Sequence, residues 1–430
     1  MASKTASPSP PASPRYRHYV LGLLFLVYVF NFVDRRILAI LAEPIQKELG
    51  VPDTAMGLLM GPAFGIFYTF AGIFIARWAD VGVRRSIIAL GLVVWSVFTA
   101  ASGLVRAAAH LALARIGVGV GEAACSPPAH SLIADYFPPG RRATALSIYS
   151  MGIYGGILVS YALGGFLREE VGWRWAFALV GLPGLLLALV LRFTVREPRR
   201  GGAEGRTDDG ERPTLRDAAR HMWPLRSFRH LTAGAALNSF VGYALGAWLP
   251  LFLARVHAMK DGTEIGLWLG LTFGLGGAAG TLLGGLLCDR LGARDARWHL
   301  RIPALATLLS LPFTALALLW PGRQGALLLL VPSIVFGALY LGPVFSLTQG
   351  LVKLRLRALA ASVLIFAMNL VGLGLGPTAV GALSDLLDAH AGLGTGSIRY
   401  ALLVVVALRL WAAVHLWLGS RSLPAELGAA

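Results

Sequence analysis

Apolar runs of about twenty residues, separated by short charged turns, recur along almost the whole chain and set its fold class. A run of that length makes a helix crossing about 30 Å of hydrocarbon at about 1.5 Å per residue. Twelve are legible, at 18–41, 55–77, 86–106, 108–134, 143–167, 173–193, 231–256, 264–288, 300–319, 324–352, 358–383 and 398–419. The composition agrees: 56% of the 430 residues are hydrophobic and 14% charged, with a mean hydropathy of +0.67, too little charge for the surface of a soluble domain. The sequence predicts an all-α polytopic membrane protein with twelve transmembrane helices.

The charges between the runs set the predicted topology. A net charge of +16 invites a nucleic-acid partner, but the basic residues form no single patch with interleaved aromatics. They concentrate in alternate segments: the leader, Arg77 to Arg85, Asp135 to Arg142, Val195 to His230, Asp289 to Arg301, Lys353 to Arg357 and the C-terminal tail. Positive-inside bias puts these segments, and both termini, in the cytoplasm. Met1 to Pro14 is Ser/Pro-rich and polar, without the apolar core of a cleavable signal, so the first run is expected to remain as the first helix. The Arg, Ala and Leu bias, with only four lysines, points to a bacterial source and hence an inner membrane.

Two cysteines, Cys125 and Cys288, both inside apolar runs, are too few for a disulfide framework or a thiolate metal site. No Gly-x-Ser-x-Gly elbow, metal-binding His/acid cluster or phosphate-cradling Gly-rich loop is present, so neither an enzyme nor an ATP-driven pump is expected, and no cofactor.

The one long polar stretch between runs, 194–230, has six runs on each side. The predicted organisation is a leader at 1–17, a six-helix bundle at 18–193, a linker at 194–230, a second bundle at 231–419 and a tail at 420–430. Such a division suits a transporter built from two parallel repeats. The repeat shows in residues too. Asp80 with Arg84 and Arg85 after the second run matches Asp289 with Arg290 and Arg294 after the eighth. An acid at a helix end followed by bases in a tight turn suits a latch to a neighbouring helix that breaks when the bundle rocks. Ordinary positive-inside charge explains the arginines but not the paired acids.

Inside the first run stand Asn31, Asp34, Arg35 and Arg36. A charge near the bilayer centre costs about 2.5 to 3.5 kcal/mol on insertion scales, so charges there mark function more often than architecture. The fourth run carries Arg115 and Glu122. Helix one enters the membrane from one side and helix four from the other, and Glu122 lies about 21 Å into helix four, at the depth of Asp34 and Arg35.

The paired loop segments resemble the major facilitator superfamily motif Gly-x-x-x-Asp-Arg-x-Gly-Arg-Arg, with Ala76, Val81 and Val83 as departures in the first copy. Arg115-Ile116-Gly117-Val118-Gly119-Val120-Gly121 resembles the superfamily's fourth-helix motif, and glycines 152, 155, 156, 164 and 165, with 372, 374, 376 and 381, its close-packing helices. Asn31-Phe32-Val33-Asp34-Arg35 together with Gly121-Glu122-Ala123 resembles the Spinster family within it. The resemblance implies that helices one, four, seven and ten line a central cavity. Asp34, Arg35, Glu122 and Arg115 are then the expected proton-coupling and substrate residues, and Asn31, Asn238, Trp248, Tyr340 and Gln349 the expected cavity contacts. Asp34 beside Arg35 is expected to stay charged, and Glu122, in an apolar wall, to take up and release a proton. Arg36 is expected to pack laterally, and Arg409 to snorkel or pair laterally. The implied function is alternating-access, proton-coupled transport by a monomer of a lipid-like anion of the lysolipid or sphingoid-phosphate type. A small organic anion or drug is the alternative substrate class, and a non-transporting receptor the alternative from outside transport.

Overall fold

The structure, a computed structural model, describes residues 13–199, 220, 222–352 and 357–428. Most of the expected leader and linker, the 353–356 turn and the last two residues lie outside the described residues. Every regular element among those described is a helix. Ten are long and apolar enough to cross a membrane: Asp53–Ala79, Arg84–Leu104, Thr144–Glu170, Gly172–Thr194, Arg226–Val256, Gly262–Gly292, Trp298–Leu319, Arg323–Gly350, Leu359–Ala391 and Gly394–Leu427. Two others complete the twelve: Pro14–Ile40, before the first of these, and the pair Ala108–Glu122 and Ser126–Tyr136, after the second. In chain order they are spans one to twelve.

Prolines and glycines break the helices where the chain needs a change of direction. Span two is interrupted at Gly61, ahead of Pro62. Span four, one apolar run with a break expected at Pro127-Pro128, stops after Glu122 and restarts at Ser126. Pro127 and Pro128 have no N–H to donate back into the preceding turn, which favours a helix start there. The join tightens instead, with Ala124 N–H bonded to Gly121 O at 3.1 Å and Cys125 N–H to Glu122 O at 3.0 Å. The last helix runs on through the stretch expected as a tail. Leu423 and Ser420 are buried there, and Glu426 accepts from the N–H groups of Arg226 (2.8 Å) and Ser227 (3.0 Å), capping the start of span seven.

Spans one to six and seven to twelve form two bundles. Each has its own apolar core, one around Leu24, Trp95 and Leu132 and the other around Leu231, Val344 and Leu416. A third core, from Ile37 and Leu59 to Trp248 and Val380, is shared by both bundles at the face where loop 41–53 lies. The halves meet along two equivalent seams, span two on span eleven and span five on span eight. Both seams are lined by glycine: a Cβ on Gly57 would lie 2.7 Å from Pro377 O, one on Gly61 2.8 Å from Gly374 O, and one on Gly270 2.9 Å from Leu158 O. Small residues let membrane helices cross this closely.

The seams end in matching caps. Asp385 of span eleven accepts from the N–H groups of Asp53 (3.2 Å) and Thr54 (2.7 Å) at the start of span two. Glu169 of span five accepts from Gly262 N–H (2.9 Å) at the start of span eight. Each half thus gives an acid to the positive end of a helix of the other. Arg255 adds a two-pronged ion pair to Asp53 at 2.8 and 2.9 Å, with Gln46 and Ser384 also bonded to that carboxylate, each at 2.8 Å.

The described polar contacts between halves lie at this face or at mid-depth, where Tyr154 meets Thr281 and Tyr161 meets Gly246. At the face holding the termini, contacts stay within a half. Arg84 is buried and pairs with Glu197 (2.7 Å) and with Asp135 at the end of span four, while Arg85 donates to Val195 O at 2.6 Å. The side chain of Asp80 lies outside the described residues. Asp289, Arg290 and Arg294 are exposed and form no ion pair among the described residues. The two halves are locked together at the 41–53 face.

Candidate functional site

Consecutive residues of a helix point about 100° apart, so the adjacent charges Asp34, Arg35 and Arg36 of span one face different neighbours. Arg35 turns toward spans two and four. Its Nε and Nη2 donate to Glu122 Oε2 at 3.0 and 2.9 Å, and Nη2 also to Asn31 Oδ1 at 3.2 Å. The rings of Tyr68, Phe32 and Phe64 surround the guanidinium, with centroids 4.5, 4.7 and 5.1 Å away. Arg115 approaches the other side of the cluster, 4.8 Å from the Phe64 centroid, with Nη1 3.4 Å from the backbone oxygen of Asp34.

Arg35, Glu122, Asp34 and Arg115 are 8%, 1%, 1% and 2% exposed, so water screens none of them well. With both acids ionised their charges sum to zero. The polar atoms are unevenly served: Glu122 Oε1, both carboxyl oxygens of Asp34, Arg115 Nε and Trp95 Nε1 have no hydrogen-bond partner. The expected Asp34–Arg35 pair is therefore not formed. Arg35 is bound to Glu122, which the break after Gly121-Glu122 aims at it, while Asp34 sits by Trp95 and Arg115. Adjacent residues do not face each other on a helix, and this decides the pairing.

Arg36 is placed differently from the lateral packing expected of it. It crosses to the other half, with its guanidinium 4.8 Å from the Tyr243 ring centroid of span seven. Together with Arg35, Leu38, Met60, Tyr243 and Pro377 it lines a recess of about 320 Å³, counted out to its mouth.

The other expected contacts lie elsewhere. Asn31 supports Arg35. Asn238 bonds Thr307 Oγ1 at 3.1 Å and Gly234 O at 3.2 Å, tying spans seven and nine inside the second half. Trp248 is fully buried and donates to Pro377 O at 2.8 Å near the shut face. Tyr340 is buried in the second core, and Gln349 is exposed toward the terminal face. Arg409 neither snorkels nor finds an acid: it is 3% exposed and donates to Thr314 Oγ1 at 3.1 Å. Among the described residues no group of three His, Cys, Asp or Glu side chains is placed to hold a metal.

Sequence reading did not single out Phe64, Tyr68, Tyr243 or the Asp53–Arg255 pair. Aromatics inside apolar spans carry no distinguishing mark, and charges at span ends look like ordinary loop charges. Arg36 did carry a signal, since three charges spaced by about 100° must face three neighbours.

Comparison with known proteins bears on the fold and the family. The Major Facilitator Superfamily family model matches residues 24–377. An MFS-type efflux pump of Mycolicibacterium smegmatis is 37% identical over 411 residues, covering 95% of this chain and 93% of that protein. A sphingosine-1-phosphate transporter of Danio rerio is 29% identical over 254 residues, 56% of this chain and 49% of that one. Among solved structures, a bacterial homolog of the human lysosomal transporter Spinster, in an inward-facing and unoccupied conformation, superimposes with a TM-score of 0.86 at 33% identity, covering 96% of this chain and 99% of that one.

Proposed function

Because the chain belongs to the major facilitator superfamily, in its Spinster branch, and is a transporter rather than an enzyme, we propose that it moves an amphipathic anion by proton-coupled alternating access. The observation that carries this reading is the buried Arg35–Glu122 pair on the wall between the halves. A proton added at the unpartnered Oε1 of Glu122 cancels the charge that holds Arg35. The guanidinium, kept in place by Asn31 and three aromatic rings, then offers its donors to an anionic head group. Loss of the proton restores the pair and expels the head group. Coupling of this kind is a difference in affinity between two states of the protein. Asp34 and Arg115 set the field around Glu122, and Asp34 is the second candidate to carry a proton. A static ion pair is the competing role, but buried pairs stabilise poorly compared with apolar packing.

The likeness to a sphingosine-1-phosphate transporter supports a lysolipid or sphingoid-phosphate substrate. The longer match to an efflux pump supports a second reading, a small organic anion or drug. On either reading both termini are cytoplasmic, the membrane is a bacterial inner membrane and the monomer is the working unit.

Flux of a labelled lysophospholipid and of a small organic anion, measured in proteoliposomes with and without a pH gradient, tests the proposal. Lysolipid flux that rises with the gradient and falls at least tenfold in Arg35→Ala is expected. Anion flux alone selects the second reading, and no flux of either substrate overturns the assignment.

A further inference from the structure

Of the three adjacent charges deep in span one, Arg36 is the one that the proton mechanism does not use. Among the described residues no carboxylate pairs with it, and its Nε is buried without a hydrogen-bond partner. The four charges around Glu122 cancel, so Arg36 is a surplus cation inside the membrane. Such a charge is expensive and is kept where something anionic meets it. Its seat is built by the opposite half: the Tyr243 ring lies under the guanidinium, and a Cβ on Gly246 would lie 2.5 Å from Nη1, so a larger residue there would push the guanidinium off this position. Tyr161 fixes that backbone by donating to Gly246 O.

The recess Arg36 shares with Arg35 is narrow. Its enclosed part has room for about one water-sized group, walled toward the shut face by Leu38, Ala39, Met60 and Pro377. An anionic oxygen fits there, whereas an acyl chain does not. Arg35 already has Glu122 as an acceptor, and Arg36 has none.

We propose that Arg36, seated on Tyr243 and Gly246, is the first contact for the anionic end of the substrate, a phosphate or carboxylate oxygen, before Arg35 is released to join it. This rests on the reading of the chain as a carrier of an amphipathic anion. Because Arg36 springs from one half and its seat from the other, the occupied site holds span one against span seven. The anion therefore stabilises the state in which this side of the cavity is shut.

Binding of dodecyl phosphate and of dodecanol to the purified full-length protein, followed by tryptophan fluorescence, tests this. Wild type should prefer the phosphate. Arg36→Gln should weaken phosphate binding about tenfold, as expected when a charged hydrogen bond is lost, and leave dodecanol binding unchanged. Gly246→Ala, which keeps the charge but displaces it, should weaken phosphate binding in part, and Arg36→Lys should retain some of it. Unchanged dodecanol binding shows that each variant is folded. Phosphate binding by Arg36→Gln equal to wild type overturns the role of Arg36 and leaves the transport reading intact. A wild type that does not distinguish the two probes overturns both.

Discussion

Phe64 separates two buried guanidinium groups, with its ring centroid 5.1 Å from Arg35 and 4.8 Å from Arg115. The negative face of an aromatic ring attracts each cation by about 0.5 to 2 kcal/mol, toward the upper end when water is absent. Phe64 therefore keeps two like charges in one apolar wall. Phe64→Leu, which retains most of the apolar volume, is expected to lower stability by about 1 to 3 kcal/mol, and Phe64→Tyr to change it little. Thermal unfolding in detergent reads this, and an unchanged melting temperature in Phe64→Leu would show that the ring contacts are incidental. The charges of this cluster were legible in the sequence because an ionisable residue in an apolar run stands out. Their pairing was not, because Arg35 chooses Glu122 over the adjacent Asp34 through helix geometry and the break of span four. The aromatic rings that make the cluster tolerable resemble every other aromatic in the apolar runs.

The same contrast holds for whole helices. Twelve spans and two halves follow from run length and the one long polar interruption, since a membrane leaves the backbone no alternative to helices or closed barrels. The break of span four was signalled by Pro127 and Pro128, and it lies just ahead of them, at Ala123 to Cys125. The seams between halves were visible as glycines but not as partners, because sequence spacing does not say which helix crosses which. The acid caps at the starts of spans two and eight were hidden for the same reason: Asp385 and Glu169 each serve a helix of the other half. These caps and the Asp53–Arg255 pair must open before the 41–53 face can admit or release anything. Arg255→Gln removes the cation from Asp53, which is 5% exposed, and should shift the population toward a state open at that face. With Cys125 and Cys288 both buried, a single cysteine introduced at Ala247, in the shared core, reports that opening through its rate of labelling by a membrane-impermeant maleimide. Faster labelling in the Arg255→Gln background is expected, and an equal rate would show that the pair does not hold the face shut.

Across the whole molecule, a core shared by both halves at the 41–53 face and a further core centred in each half describe two bundles joined most closely at one end. In the proposed alternating-access cycle the glycine seams let the halves rock and the polar caps latch the 41–53 end. Asp289, Arg290 and Arg294, the proposed gate residues of the second half, are exposed and form no ion pair among the described residues. On the proposed function a proton and an anion act on one switch, the bond between Arg35 and Glu122, and linkage requires each to alter the affinity for the other. The central claim is that Glu122 is the proton's seat. The measurement that tests it most directly compares, in proteoliposomes, substrate exchange at equal pH with accumulation driven by a pH gradient, in wild type and in Glu122→Gln. The amide still accepts from Arg35 but carries no exchangeable acid proton, so exchange is expected to survive while gradient-driven accumulation is abolished. Accumulation by Glu122→Gln at the wild-type rate and with the wild-type response to the gradient would contradict the account.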